Sequence, residues 1–242
     1  MLLRKYMFVI CLAVFVLAGN FTCLLAVPIG NSDEGREYLI ASQDVSKWSC
    51  GVYSRAQNRD VTSNRRQLSM RLRKVIAHVG YDFERWFTTY AVAGQSQAGT
   101  SGGGGYADAG TELGMGMRFN ILDLEILDPT LFEDKIRVNA GWQYSMSDTE
   151  WEGRQTNLHE LSASLMLSIV NDIEGNKLFC PNSIALFAGP IYSDIHSSSI
   201  NEKNKLGFAV GMEVFLSEKI SLECAIEKFD ADAYSAGINV HF

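Results

Sequence analysis

The last eight residues, Ser235-Ala236-Gly237-Ile238-Asn239-Val240-His241-Phe242, alternate between two kinds of side chain. Successive side chains of an extended strand point to opposite sides. Ile238, Val240 and Phe242 therefore fall on one face, and Gly237, Asn239 and His241 fall on the other. This period of two predicts a strand with one apolar face, held in a sheet up to Phe242.

The same alternation recurs along most of the chain. It is clearest over Ala107–Phe119, where Leu113, Met115 and Met117 share a face opposite glycines and charged residues. About ten strands result: Trp48–Tyr53, Leu68–Tyr81, Trp86–Gln95, Ala107–Phe119, Ile136–Tyr144, Glu160–Ile169, Ile184–Tyr192, Leu206–Val214, Ile220–Glu227 and Ser235–Phe242. The fold class is all-β: a closed, antiparallel, up-and-down transmembrane β-barrel of about ten strands, with eight as the alternative.

Two segments do not fit one simple pattern. In the second strand, Met70 and Leu72 are out of step with Val75 and Val79, so we expect a β-bulge near Arg73 or Lys74. The segment Asn120–Asp134 is too long for a hairpin turn and is expected to be partly helical.

We expect polar surface loops at Asn58–Gln67, Gln97–Gly105, Ser145–Arg154 and Ser193–Asn204.

The first residues have the composition of a secretory signal. Arg4 and Lys5 precede the apolar run Met7–Ala18, and we expect cleavage after Ala18 or Ala26. The expected domains are a signal peptide at 1–26, a periplasmic lead-in at 27–45 and the barrel at 46–242. Without Arg4 and Lys5 the chain keeps 19 basic and 28 acidic residues, a net charge of −9, which gives no electrostatic basis for binding nucleic acid.

The final octet also carries a family resemblance. Ser235, Gly237, Val240 and Phe242 fill the positions of the C-terminal assembly signal of bacterial outer-membrane β-barrels, although Val240 stands where an aromatic residue is more usual. Over Lys47–Phe242 the chain resembles small barrels of the OmpA/OmpX-like class. The resemblance implies a monomer in the lipid of the bacterial outer membrane, assembled by machinery that recognises this signal. It also implies a structural or surface-interaction role with an extracellular ligand.

The polar face of the strands defines the first candidate site. In it charged residues alternate with Gly, Ser and Asn, whereas a soluble surface would carry many lysines. Small barrels are filled by side chains, so we expect a filled or very narrow lumen with an ion-pair network, joined by Lys74. Its members are Glu112, Arg118, Arg137, Glu160, Glu213, Glu223 and Glu227. A narrow cation-preferring pore is one alternative. A soluble, lipocalin-like barrel with the two faces exchanged is another.

A weaker pattern concerns catalysis. Asp194, His196 and Ser198 lie close together at the end of a predicted strand, where a serine nucleophile, a histidine base and an orienting carboxylate would allow acyl transfer. A rim hydrolase, similar to lipid A deacylases or omptins, is therefore a further alternative. The main expectation is a protein without enzymatic activity, metal or cofactor, because the serine run around Ser198 is ordinary loop composition.

Overall fold

The computed structural model describes residues 47–63, 66–84, 86–100, 105–127, 133–151, 153–172, 183–198, 200–217 and 219–242. The expected signal peptide and lead-in lie outside these residues. The strands are β1 (Trp48–Ser63), β2 (Arg66–Glu84), β3 (Phe87–Thr100), β4 (Gly110–Leu127), β5 (Glu133–Trp151), β6 (Arg154–Asp172), β7 (Ser183–His196), β8 (Ile200–Glu202), β9 (Leu206–Ser217), β10 (Ile220–Lys228) and β11 (Asp232–His241). No helix among the described residues is long and apolar enough to cross a bilayer.

Ten of the eleven strands form one closed antiparallel barrel. Strands β1 to β7 and then β9 to β11 each pair with the next, so the topology is up-and-down. Strand β11 closes the barrel on β1, in register from Ser49 opposite His241 to Gln57 opposite Ala233. The prediction of about ten strands is confirmed, and the eight-stranded alternative is wrong.

The barrel has its polar face inside and its apolar face outside. On β4, Glu112 and Arg118 are buried, whereas Leu113 and Met115 are 59% and 63% exposed. A soluble barrel buries apolar side chains and exposes charged ones, so this arrangement is the opposite of the one a lipocalin-like barrel requires.

The apolar outer surface forms a continuous band. It lies toward the end where β1 begins and β11 ends, which we call the terminal end; the opposite end is the loop end. On β6 the band runs from Leu161 to Ile169 on alternate residues. Nine residues of a strand tilted by about 40° rise about 23 Å, close to the apolar height of a membrane barrel.

Aromatic side chains line part of this band at the terminal end. The Trp48 and Tyr81 rings are 4.9 Å apart, and the Phe87 and Phe119 rings are 5.1 Å apart. Amphipathic and aromatic rings at a band edge are typical of the membrane–water interface.

Several strands continue beyond the band at the loop end and form what we call the collar. It comprises residues 57–63 of β1, 66–73 of β2, 95–100 of β3, 147–151 of β5, 154–159 of β6, 193–196 of β7, and β8. Here the polarity reverses, because Met70 and Leu72 are buried inside while Arg71 and Arg73 are exposed outside. The collar therefore has the pattern of a barrel in water.

The collar corrects three sequence-based predictions. Strands β1 and β2 pair in unbroken register from Trp48–Tyr81 to Ser63–Arg66, so no bulge occurs at Arg73 or Lys74. Strands extend into all four segments predicted as polar loops, over residues 58–63, 97–100, 145–151 and 193–196. Residues 64–65, 101–104, 152 and 199 of those segments lie outside the described residues. The segment predicted as partly helical is strand up to Leu127 in β4 and again from Glu133 in β5.

Strand β8 belongs to the collar and not to the ten-stranded barrel. It pairs with the end of β1, Val61 to Ser63, and touches β7 through His196 and Asn201. Strands β9, β10 and β11 are short, with 12, 9 and 10 residues. Above them β8 completes the collar wall between β7 and β1.

Candidate functional site: the packed lumen and its collar

The lumen holds a nearly balanced set of charges. Among the described residues, seven acidic side chains and six basic ones are buried. They are Asp82, Glu112, Glu160, Glu202, Glu213, Glu223 and Glu227, and Arg55, Arg59, Lys74, Arg118, Lys135 and Arg137. The seven residues that the alternation assigned to the lumen are all in this set.

Five of these charges form one cluster, which we call the charge belt: Arg55, Lys74, Glu112, Glu160 and Glu227. Glu160 accepts hydrogen bonds from Arg55 at 2.8 Å, from Lys74 at 2.7 Å and from the Ser193 hydroxyl at 3.0 Å. Lys74 also donates to Glu112 at 2.7 Å, and Arg55 donates to Glu227 at 2.6 Å. The belt joins β1, β2, β4, β6 and β10 across the lumen.

The other predicted lumen residues lie nearer the terminal end, in separate contacts. Glu213 accepts a hydrogen bond of 2.5 Å from the Ser221 hydroxyl, and Arg137 lies 3.2 Å from the Asp123 carboxylate. Arg118 lies 5.0 Å from the centre of the Tyr90 ring, and Glu223 is buried on β10. The structure thus joins three of the seven predicted residues in the belt and leaves four outside it.

A neutral bridge adds to the filling of the lumen. The Tyr90 hydroxyl donates to the Gln143 side-chain oxygen at 3.2 Å, and the Gln143 amide donates to the Tyr53 hydroxyl at 3.3 Å. A cavity of about 50 Å³ beside this bridge touches Tyr90, Arg118 and Glu227. Such a volume holds a few water molecules, at about 10–15 Å³ for each.

An apolar cluster closes the lumen inside the collar. Its members are Val61, Met70, Leu72, Ala98, Trp151, Leu158, Ile195 and Ile200, each at most 3% exposed. Ile200 comes from β8, so the short strand contributes directly to this packing. Side chains rather than solvent thus occupy the lumen at the loop end.

A second ion pair lies between the charge belt and β8. Arg59 of β1 pairs with Glu202 of β8, and both side chains are completely buried. Glu202 also accepts a hydrogen bond of 2.9 Å from the backbone N–H of Ile195, while Arg59 lies 3.4 Å over the Phe229 ring. Arg55, Arg59 and Glu202 were not among the predicted lumen residues, although the alternation of Tyr53, Arg55, Gln57 and Arg59 places both arginines inside.

Burial of the Glu202 carboxyl makes the attachment of β8 dependent on pH, because this group is uncharged in acid and becomes a buried charge as the pH rises. The pKa of Glu202 rises from 4.5 to about 7, mainly because the side chain is buried. Glu160 on β6 also raises this pKa. Arg59 and Arg55 on β1 lower it, but by a smaller amount. Because the pKa of Glu202 is higher in the folded protein than in the unfolded chain, it stabilises the folded state fully below pH 4.5. This stabilisation is lost as the pH rises through about 7. We therefore expect β8 to be held most firmly at acidic pH.

Hydrogen exchange of the Lys203 amide tests this expectation, because that amide donates to the Asp60 carbonyl at 3.2 Å. Its protection, corrected for the intrinsic rate, should fall by up to about two orders of magnitude between pH 4.5 and 8. The variant Glu202→Gln should lose this dependence. An equal fall in the variant would show that another group controls β8.

The structure places the three catalytic candidates on the outer side of the collar. The Asp194 carboxylate pairs with Lys205 at 2.8 Å, and the His196 ring stacks on His159 with centres 5.5 Å apart. Ser198 is exposed in the bend between β7 and β8. Asp194 and His196 therefore contact groups outside the proposed triad, and the expectation of a protein without enzymatic activity stays a prediction, as does its rim-hydrolase alternative.

The residues of the predicted assembly signal divide between the two faces of β11. Ser235 is buried in the lumen and donates to the Ala225 carbonyl at 3.3 Å, and Gly237 lies on the same inward face. Val240 and Phe242 lie on the outward face, with Phe242 47% exposed. The aromatic residue is thus part of the apolar band.

No protein family model matches the chain, and no curated protein matches it. Solved structures similar to it include the translocator domain of the autotransporter NalP from Neisseria meningitidis (TM-score 0.40, 8% identity, 86% of this chain and 95% of that chain). An outer membrane channel from Pseudomonas putida F1 has TM-score 0.39 and 10% identity, over 83% of this chain and 97% of that one.

The attachment invasion locus protein Ail of Yersinia pestis has TM-score 0.26 and 10% identity, over 81% of this chain and 99% of that one. All three are outer-membrane β-barrels. Their similarity to this chain is too distant to bear on its role, and the closed barrel described above stands on its own strand pairing.

Proposed function

We propose that this protein is a bacterial outer-membrane β-barrel with a filled lumen, acting as a structural element that presents its collar outside the cell. The observation that carries the proposal is the change of polarity along one continuous wall. Within the band, charges are inside and apolar side chains outside, while within the collar Met70 and Leu72 are inside and Arg71 and Arg73 outside. A wall that passes from lipid into water needs this change.

The contents of the lumen support a structural role over a pore. A cation-preferring pore needs surplus acidic side chains along an open path, whereas here seven buried acids face six buried bases. The belt carboxylate of Glu160 is occupied by three donors. The apolar cluster and β8 close the inside of the collar. The surface available to partners outside the cell is therefore the outer wall of the collar.

Cell fractionation with gel mobility tests the proposal. The protein should be found in the outer-membrane fraction, and its mobility in detergent should change only after boiling, because a closed barrel resists unfolding. In a planar bilayer the purified protein should give no steady current. Soluble periplasmic protein without a mobility change would overturn the membrane assignment, and a steady cation current would overturn the filled lumen.

A further inference from the structure

Two exposed arginines, Arg71 and Arg73, lie at the boundary between the apolar band and the collar. Arg71 and Arg73 are both exposed on the outward face of β2. Val75, the next outward residue toward the terminal end, is 54% exposed and belongs to the band. If the barrel spans a membrane as proposed above, the two guanidinium groups lie at the level of the lipid headgroups.

These two arginines differ from two lysines of the barrel wall, Lys205 and Lys228. Lys205 is paired with Asp194 at 2.8 Å, and Lys228 with Asp232 at 2.6 Å. Among the described residues no carboxylate lies within ion-pair distance of Arg71 or Arg73. Their strand neighbours are uncharged, since Asn58 faces Arg71 on β1 and Gln97 faces Arg73 on β3. Within the described part of the chain, the two guanidinium groups therefore have no carboxylate partner.

Arg73 is also held in a defined orientation. Its guanidinium carbon lies 4.2 Å from the centre of the Tyr106 ring. Tyr106 is itself positioned by the neighbouring backbone, because the Ala107 N–H donates to the Ala98 carbonyl of β3 at 2.9 Å. A guanidinium stacked on a ring keeps its N–H edge free to donate two parallel hydrogen bonds.

We propose that Arg71 and Arg73 bind the phosphate groups of anionic lipid headgroups in the outer leaflet. Arginine recognises phosphate through paired, charge-assisted hydrogen bonds. The side-chain amides of Asn58 and Gln97 add neutral donors and acceptors for the polar part of the headgroup. This site would fix the depth and rotation of the barrel in the membrane, and it rests on the proposed membrane location.

The test uses the full barrel in lipid nanodiscs of phosphatidylcholine with 20 mol% phosphatidic acid, about a fifth of the lipid. Association of spin-labelled phosphatidic acid with the barrel is measured by electron spin resonance. The variant R71Q/R73Q should weaken that association by about fivefold for each arginine, since one basic residue near an anionic surface contributes about that factor. The loss should shrink at high salt.

The control is R66Q/R154Q, which removes the same charge from exposed residues at the hairpin tips of the collar, farther from the band. It should leave the association unchanged. Equal loss in both variants would show a general charge effect and overturn the site, as would no loss in R71Q/R73Q. Barrel formation is checked by the boiling-dependent mobility: failure to insert contradicts the proposed function, whereas insertion without selective lipid binding contradicts this inference alone.

Discussion

Replacing Glu160 by glutamine is expected to lower the free energy of unfolding by about 1.5–3 kcal/mol, the usual contribution of hydrogen bonds to a charged group, since Arg55 and Lys74 keep Glu227 and Glu112 as partners. Glu160 receives hydrogen bonds from Arg55 and Lys74 at 2.8 and 2.7 Å. Both cations are 5% exposed, so water cannot replace the lost carboxylate. The amide of glutamine would also direct an N–H donor toward one of them. Urea unfolding of the barrel in lipid vesicles measures the difference.

The matched control is Lys228→Gln, which breaks an ion pair of similar length on the surface. Lys228 and Asp232 are 2.6 Å apart, but their side chains are 62% and 48% exposed. Water solvates both groups after the change, so the variant should unfold at nearly the same urea concentration as the parent. If Glu160→Gln were equally harmless, the charge belt would have to be hydrated, and the filled lumen would be wrong.

The strand pattern of the band could be predicted from the sequence because each face of its strands keeps a single polarity there. On β4, Leu113 and Met115 alternate with Glu112 and Gly114 without a break. Closure was predicted because every backbone group of a barrel in lipid must be paired, and the pairing of β1 with β11 confirms it. The orientation of the faces needed the structure, since alternation is the same for either assignment.

The collar was missed because the outward face changes from apolar to polar along a single strand, as the proposed passage from lipid into water requires. On β2, Met70 and Leu72 point inward in the collar, while Val75 and Val79 point outward in the band. Along β2 the apolar residues move from the inward face to the outward face. In a sequence, the same pattern arises when a β-bulge shifts the register by one residue, so a bulge was predicted. The backbone register is continuous, and the change lies in the environment.

Four of the five members of the charge belt, all except Arg55, were placed inside the lumen from the sequence, but their partners could not be predicted. Arg55 and Glu160 are 105 residues apart and come from strands that are not neighbours in the sheet. Which inward residues meet across a barrel depends on strand tilt and stagger, and these are set by closure of the whole sheet. Periodicity within one strand carries no information about them.

The apolar band gives the second large expected effect. Leu165 is 45% exposed, faces outward on β6 and lies midway between Leu161 and Ile169, the two limits of the band. The variant Leu165→Arg places a charge near the middle of the bilayer. It should therefore cost about 2–4 kcal/mol of folding free energy in lipid vesicles, as measured by urea unfolding.

Asn157→Arg is the control on the same strand and the same face. Asn157 is exposed in the collar, eight positions nearer the loop end than Leu165, and its surroundings are water. The two variants carry the same new side chain, so only the depth of the site differs, and Asn157→Arg should leave stability nearly unchanged. A soluble barrel would tolerate arginine at both exposed positions, so a large loss confined to Leu165→Arg can arise only if lipid surrounds the band.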